Sequence, residues 1–234
     1  MGLFQGGFVN LAVAALRREG AVIVDPADIP SVVDPDPAAS YLRWGTCSGA
    51  PARRRGGDEE CSVVLQYGMK REFNKWLASL GPAAPVKSLT ELIAWNAAHR
   101  SAGAIKYGQA ILEASDAIDL VADRARYEAD RAKDLRLAAT HGIDEIIKAE
   151  RLDALLFAGS VGSEIAAKAG YPSVTVPFAL EPVSSVGLPT GFDPRPQPVG
   201  ITFTGTACSE PRLLEIAYGF EQATKKRVPP PLVP

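Results

Sequence analysis

Histidine is nearly missing from this chain: two in 234 residues, His99 and His141. Each sits in a helical, charged stretch and reads as a surface helix residue rather than a metal ligand, so neither a zinc hydrolase nor any other metal site is expected. Cysteine is also scarce. The three, Cys47, Cys61 and Cys208, are odd in number and widely spaced. They form neither a disulfide framework nor a metal knuckle, and reduced thiols in a cytoplasmic protein are the expectation. No apolar run is long enough to span a bilayer, which sets aside a membrane partner. The start lacks the basic region and sustained apolar stretch of a secretory signal. A formal net charge of −2 provides no basic field for nucleic acid. Neither a Walker lysine nor a G-x-G-x-x-G pattern is found, and no cofactor is expected.

The residues that are present describe a globular chain with strands alternating with helices. Hydrophobic residues make up 47% and charged residues 22%. "NLAVAALRREG" reads as a helix stopped at Gly20, and Ala21–Val24 as a strand. Residues 51–60, "PARRRGGDEE", read as an exposed loop in which Asp58, Glu59 and Glu60 offset Arg53, Arg54 and Arg55. A helix over 61–80 is expected to bury Phe73, Trp76, Leu77 and Leu80. "SLTE" is a capping box, with Ser88 accepting at Glu91 and Glu91 reaching back. Residues 115–139 have the charge pattern of a long solvated helix ended by Gly142.

The last third alternates more sharply. Strands are expected at Asp153–Phe157, Ser173–Val176 and Gly200–Phe203. A small-residue helix fills "SEIAAKAG", and a final helix capped by Ser209 buries Leu213, Ile216, Ala217 and Phe220. Phe178, Phe192 and Phe203 belong to a core or a pocket wall. Residues 226–234 are too proline-rich for a helix and form an extended tail. The fold class is α/β, with a mixed, partly parallel sheet flanked by helices in one domain, 1–234.

"LLFAGSVGSE" is the stretch closest to chemistry. A strand leads through Ala158-Gly159-Ser160-Val161-Gly162 into a helix, the layout of a nucleophile elbow with alanine in place of the first glycine. No histidine follows Ser160, so a Ser-His-Asp triad in that order is excluded by composition. Small residues that let the backbone pack closely account for the turn. A functional reading makes Gly159, Ser160, Gly162 and Ser163 a substrate-lining loop at a strand's carboxyl end.

"LDALLFAGSVGSEIAAKAGYPSVTVPF", followed by "PVGITFTGTACSEPRLLEIAYGFEQATKKRVPP", strongly resembles the carboxy-terminal part of amidase signature family enzymes. "REFNKWLASL", "VKSLTELIAWN" and "YGQAILEAS" match the family's middle segments in order. The resemblance runs from about Leu11 to Pro231. One departure is that the family often has proline where Phe157-Ala158 enters the loop. The resemblance implies hydrolysis of amide carbon–nitrogen bonds by a nucleophilic serine, a second serine on a cis peptide bond, and a neutral lysine. Those residues lie in the family's amino-terminal half. "GTCSGA" and "SSVGLPTG" stand in the wrong places to replace them. Lys70, Lys75, Lys87 and Lys106 fall in middle-region segments, so no catalytic residue carries over. The expectation is a truncated, carboxy-terminal amidase portion, inactive alone on its small amide substrate. It would associate with itself or with a missing amino-terminal half. A non-catalytic binding protein on the same scaffold is the alternative.

Overall fold

The computed structural model describes residues 6–47, 61–183, 191 and 195–229. The expected loop 51–60, the aromatic Phe192 and the last residues of the tail lie outside them. The chain divides into two compact units, one formed by residues 1–33 with 138–234 and the other by 34–137.

The first unit is organised by a three-stranded sheet. Strands β3 (Leu155–Ala158) and β4 (Ser173–Glu181) both pair antiparallel with β5 (Gln197–Thr204), which lies between them. The expected strands at 173 and 200 are therefore present and longer than expected, because each continues along its partner. Alternation assigns the two faces. Val176, Ile201 and Phe203 point to one side. They form a core with Ala12, Ala15 and Leu16 of helix α1 (Gly6–Arg18) and Leu213, Ala217 and Phe220 of helix α9 (Glu210–Thr224). Ile216 is partly buried against that core. The Phe220 ring lies 5.3 Å from Phe178 and 5.5 Å from Phe203, edge-on to the latter. The register shifts between Pro177 and Ala179, so Phe178 and Ala179, though adjacent, both pack on this core.

Two local expectations need correction here. Ala21–Val24 is not a strand. Gly20 takes φ +89, and the Ala21 and Gly20 amides bond back to the Leu16 and Arg17 carbonyls. This helix-ending motif leaves Ile23 against the core and Val22 exposed. Ser209 stands at the start of α9, but its hydroxyl donates to the Thr206 carbonyl at 2.7 Å and caps no helix amide.

The second unit is mostly helical: α3 (Val64–Ser79), α4 (Leu89–Ala98), α5 (Ala110–Asp116) and α6 (Arg124–Leu135). Its strands are the two-residue β1 (Gly45–Thr46) and β2 (Cys61–Ser62), which pair in parallel. The mix of parallel and antiparallel pairing expected of the fold class is thus present, with the parallel pairing confined to this short ribbon. The ribbon overturns the expectation of three reduced thiols. It brings Cys47 and Cys61, 14 residues apart, to a Cα separation of 5.0 Å, and they form a disulfide.

Helix α3 buries Gln66, Tyr67 and Leu77, with Phe73 half-buried, whereas Trp76 and Leu80 are exposed. The helix starts three residues later than expected, and Tyr67 sets the buried stripe by stacking on Tyr127 at 4.2 Å. Ser88 accepts from the Glu91 amide at 3.1 Å, as the capping box predicts. Glu91 reaches one residue further back, to the Lys87 amide at 2.7 Å. The charged stretch 115–139 is no single helix. It contains the end of α5, a turn and α6, followed by the segment Arg136–Ile143, kinked at His141 and Gly142, before helix α7 (Asp144–Glu150). Gly142, with φ −129 and ψ −115, marks a break in that segment.

Candidate functional site

The loop after β3 is held by the sheet rather than by its own side chains. Gly159 adds one rung beyond the strand, its amide donating to the Gly200 carbonyl at 2.8 Å. It then turns with φ +54, a left-handed conformation that favours glycine. Its carbonyl accepts from the Thr202 hydroxyl at 2.5 Å. Thr202 spends its one proton there, so Thr175, 2.7 Å away, donates to Thr202. Ser173 and Thr204, 2.8 Å apart, form the next rung of the same hydroxyl ladder. Thr202 and Thr204 are buried, where an unmade hydrogen bond is costly.

Ser160 and Ser163 are both exposed at the turn into helix α8 (Ser163–Ala169). The Ser160 carbonyl accepts from the Ser163 amide at 3.0 Å and from its hydroxyl at 2.7 Å. Ser163 is therefore occupied as a donor in shaping the turn. Gly162 is buried beneath the Phe157 ring. A Cβ at that position would stand 2.3 Å from Phe157 Cδ2, so only glycine lets the helix start this close to the strand. The loop thus presents two hydroxyls on a pinned backbone and supplies no base to activate either.

Neither histidine provides a base at this loop. His99 stacks on Trp95 at 3.9 Å, with Nδ1 2.8 Å from the Trp95 carbonyl. His141 Nδ1 lies 2.9 Å from Glu145. Among the described residues, no group of three or more His, Cys, Asp and Glu side chains is placed to hold a metal ion. No helix among them is long and apolar enough to cross a membrane.

The corner between α8 and β4 is built by local rules. Gly170 takes φ +81, and the Tyr171 and Gly170 amides bond back to the Ala166 and Ala167 carbonyls. Pro172 then cannot continue the helix. Tyr171 donates its phenol to Asp144 at 2.6 Å, tying the corner to α7. Partial burial, then the Asp144 hydrogen bond and charge, push this phenol up to about 12.

In the helical unit the polar cluster serves the ribbon. Asp134 is 2% exposed. It accepts from Trp44 Nε1 at 2.8 Å and from Ser62 Oγ at 2.7 Å. One turn earlier, Asp130 accepts from the Val63 amide at 3.0 Å. Burial raises the Asp130 carboxyl above its ordinary range, against the opposing pull of that amide and of Arg126. Lys133 lies 3.9 Å from the centre of the Trp44 ring. These groups hold strands in place, and none faces a reacting atom.

Sequence reading missed the hydroxyl ladder. Its signal was present in "SVTVPF" and "ITFT", where Ser173, Thr175, Thr202 and Thr204 recur at period two. The Tyr171–Asp144 and Trp44–Asp134 pairs had no such signal, because 27 and 90 residues separate the partners.

No family model matches the chain. Over 222 residues, 94% of its length, it is 31% identical to a probable amidase of Arabidopsis thaliana, of which it covers 37%. It superposes on the native peptide amidase of Stenotrophomonas maltophilia with a TM-score of 0.69 and 33% identity, covering 97% of this chain and 42% of that one. An amidase family protein from Bacillus anthracis gives a TM-score of 0.66 at 26% identity, covering 96% and 36%. The chain thus spans about two fifths of the length of these relatives.

Proposed function

We propose that the chain, similar over nearly its whole length to amidases, belongs to the amidase signature family and is the carboxy-terminal portion of an amide-hydrolysing enzyme, contributing scaffold and cleft wall but no catalytic residue. The observation that carries this reading is the pairing of two coverages. Nearly the whole chain matches the peptide amidase, while more than half of that enzyme has no counterpart here. The resemblance supports it, since the segments that match the family are its middle and carboxy-terminal ones, while the serine–serine–lysine residues it implies lie in the amino-terminal half.

On this reading the loop Gly159–Ser163 borders the cleft for a small amide. Its position at the carboxyl end of β3 and its two exposed hydroxyls support that role. Gly159 and Gly162 set the backbone, and Ser160 and Ser163 face the substrate. A hydroxyl without a base cannot attack an amide at a useful rate, and loss of a nucleophile or base costs several orders of magnitude.

The test measures hydrolysis of a simple amide and a nitrophenyl ester. The chain is assayed alone and after co-expression with the amino-terminal three fifths of an amidase relative. The expected outcome is no turnover alone and turnover in the reconstituted pair. Turnover by the isolated chain that disappears in Ser160→Ala would overturn the reading. A chain that binds a small ligand yet never supports hydrolysis in the pair would favour a non-catalytic binding protein.

A further inference from the structure

We infer that the Cys47–Cys61 bond is a structural cross-link, shielded by the fold from thiol attack, and not a reversible redox switch. Both cysteines are 4% exposed. Val63 completes a small apolar cluster with them, and Ile118 and Tyr127 pack against it. The backbone around the sulfurs is engaged as well. The Cys47 amide donates to the Ser62 carbonyl at 3.0 Å, and the Cys47 carbonyl accepts from the Gln66 side chain. Arg126 donates to the Cys61 carbonyl at 3.4 Å and lies 3.9 Å from Cys47 Sγ. Exchange requires a thiolate to reach one sulfur, and this packing denies that approach.

The ribbon itself argues for a structural role. Two residues per strand are too few to stand unaided. The cross-link closes a 14-residue separation, which removes conformations from the unfolded chain. Forming it takes two electrons and two protons from the thiols. A small-molecule disulfide accepts both and leaves as two thiols. Such bonds belong to oxidising surroundings, in contrast to the cytoplasmic location expected from the cysteine count. Cys208, free and exposed, is a different kind of thiol.

The experiment counts thiols on the full chain, purified without reductant, using an aromatic disulfide reagent. One reactive thiol is expected in the native chain and one in denaturant, both Cys208. Three in denaturant would overturn the inference. The native chain is then held in reduced glutathione and counted again. A count that stays at one supports shielding, and a rapid rise to three refutes it. Finally, the Cys47→Ser/Cys61→Ser double variant is unfolded in denaturant. A midpoint clearly below the parent's is expected. An unchanged midpoint would show that the bond has no structural role, and a variant too unstable to purify would agree with the expectation because the thiol counts stand independently.

Discussion

Gly162→Ala places a methyl group into the Phe157 ring. The built Cβ stands 2.3, 2.5 and 2.6 Å from Cδ2, Cγ and Cε2. Gly162 itself has φ −82 and ψ −5, an ordinary conformation for any residue, so no backbone strain accompanies the change. Without the ring, alanine there would stabilise the chain by about 0.4–1 kcal/mol through the unfolded state. With the ring, overpacking costs about 1–3 kcal/mol. Phe157 is half-buried and can yield in part, which puts the net loss at about 1–2 kcal/mol. The clash makes the effect conditional on the ring. In a Phe157→Ala background, which removes Cγ and the ring, the same substitution should be neutral to slightly stabilising, giving a coupling of about 1–3 kcal/mol. Gly159→Ala is the control. It has φ +54 and nothing within 4 Å of the built Cβ, so its cost of about 1–2 kcal/mol is backbone alone and should be equal in both backgrounds. The assay is denaturant unfolding followed by circular dichroism on the five variants and the parent. A Gly162→Ala midpoint equal to the parent's, or an equal loss with Phe157 and Ala at position 157, would refute the packing argument.

Tyr171 makes stability depend on alkaline pH. Its folded pKa is raised, so the protonated phenol is favoured in the fold. The contribution is fully present below the unfolded value of about 10 and is lost as pH rises through about 12. Tyr171→Phe should cost about 1 kcal/mol at pH 8 and flatten that alkaline decline in thermal melts. An unchanged decline would count against the assignment. Association is expected as well, since β3 and β4 each have one side unpaired among the described residues. Pro177 withholds a donor along β4, so pairing there is shorter than the strand. Sedimentation should show a dimer or larger species, and a compact monomer at micromolar and higher concentrations would contradict it.

The sequence alone determined what depends on near neighbours along the chain. Gly20 and Gly170 end helices because only a residue free to take positive φ lets the next amides turn back. Ser88 caps α4 because its partner is three residues away. The order of β3, α8 and β4, and the absence of a histidine base after Ser160, could be read directly. Tertiary structure decided what depends on distant partners. Ala21–Val24 has strand-like residues, yet no strand pairs with them, and Ile23 packs instead on a core assembled from both ends of the chain. Trp76 fits a helical apolar stripe, but Tyr67 and Tyr127, 60 residues apart in sequence, turn that face of α3 outward. Cys47 and Cys61 look isolated until β1 and β2 pair. Local propensity specifies a conformation within a few residues, whereas burial and cross-linking are settled only when remote segments meet, and spacing along the chain does not encode that meeting.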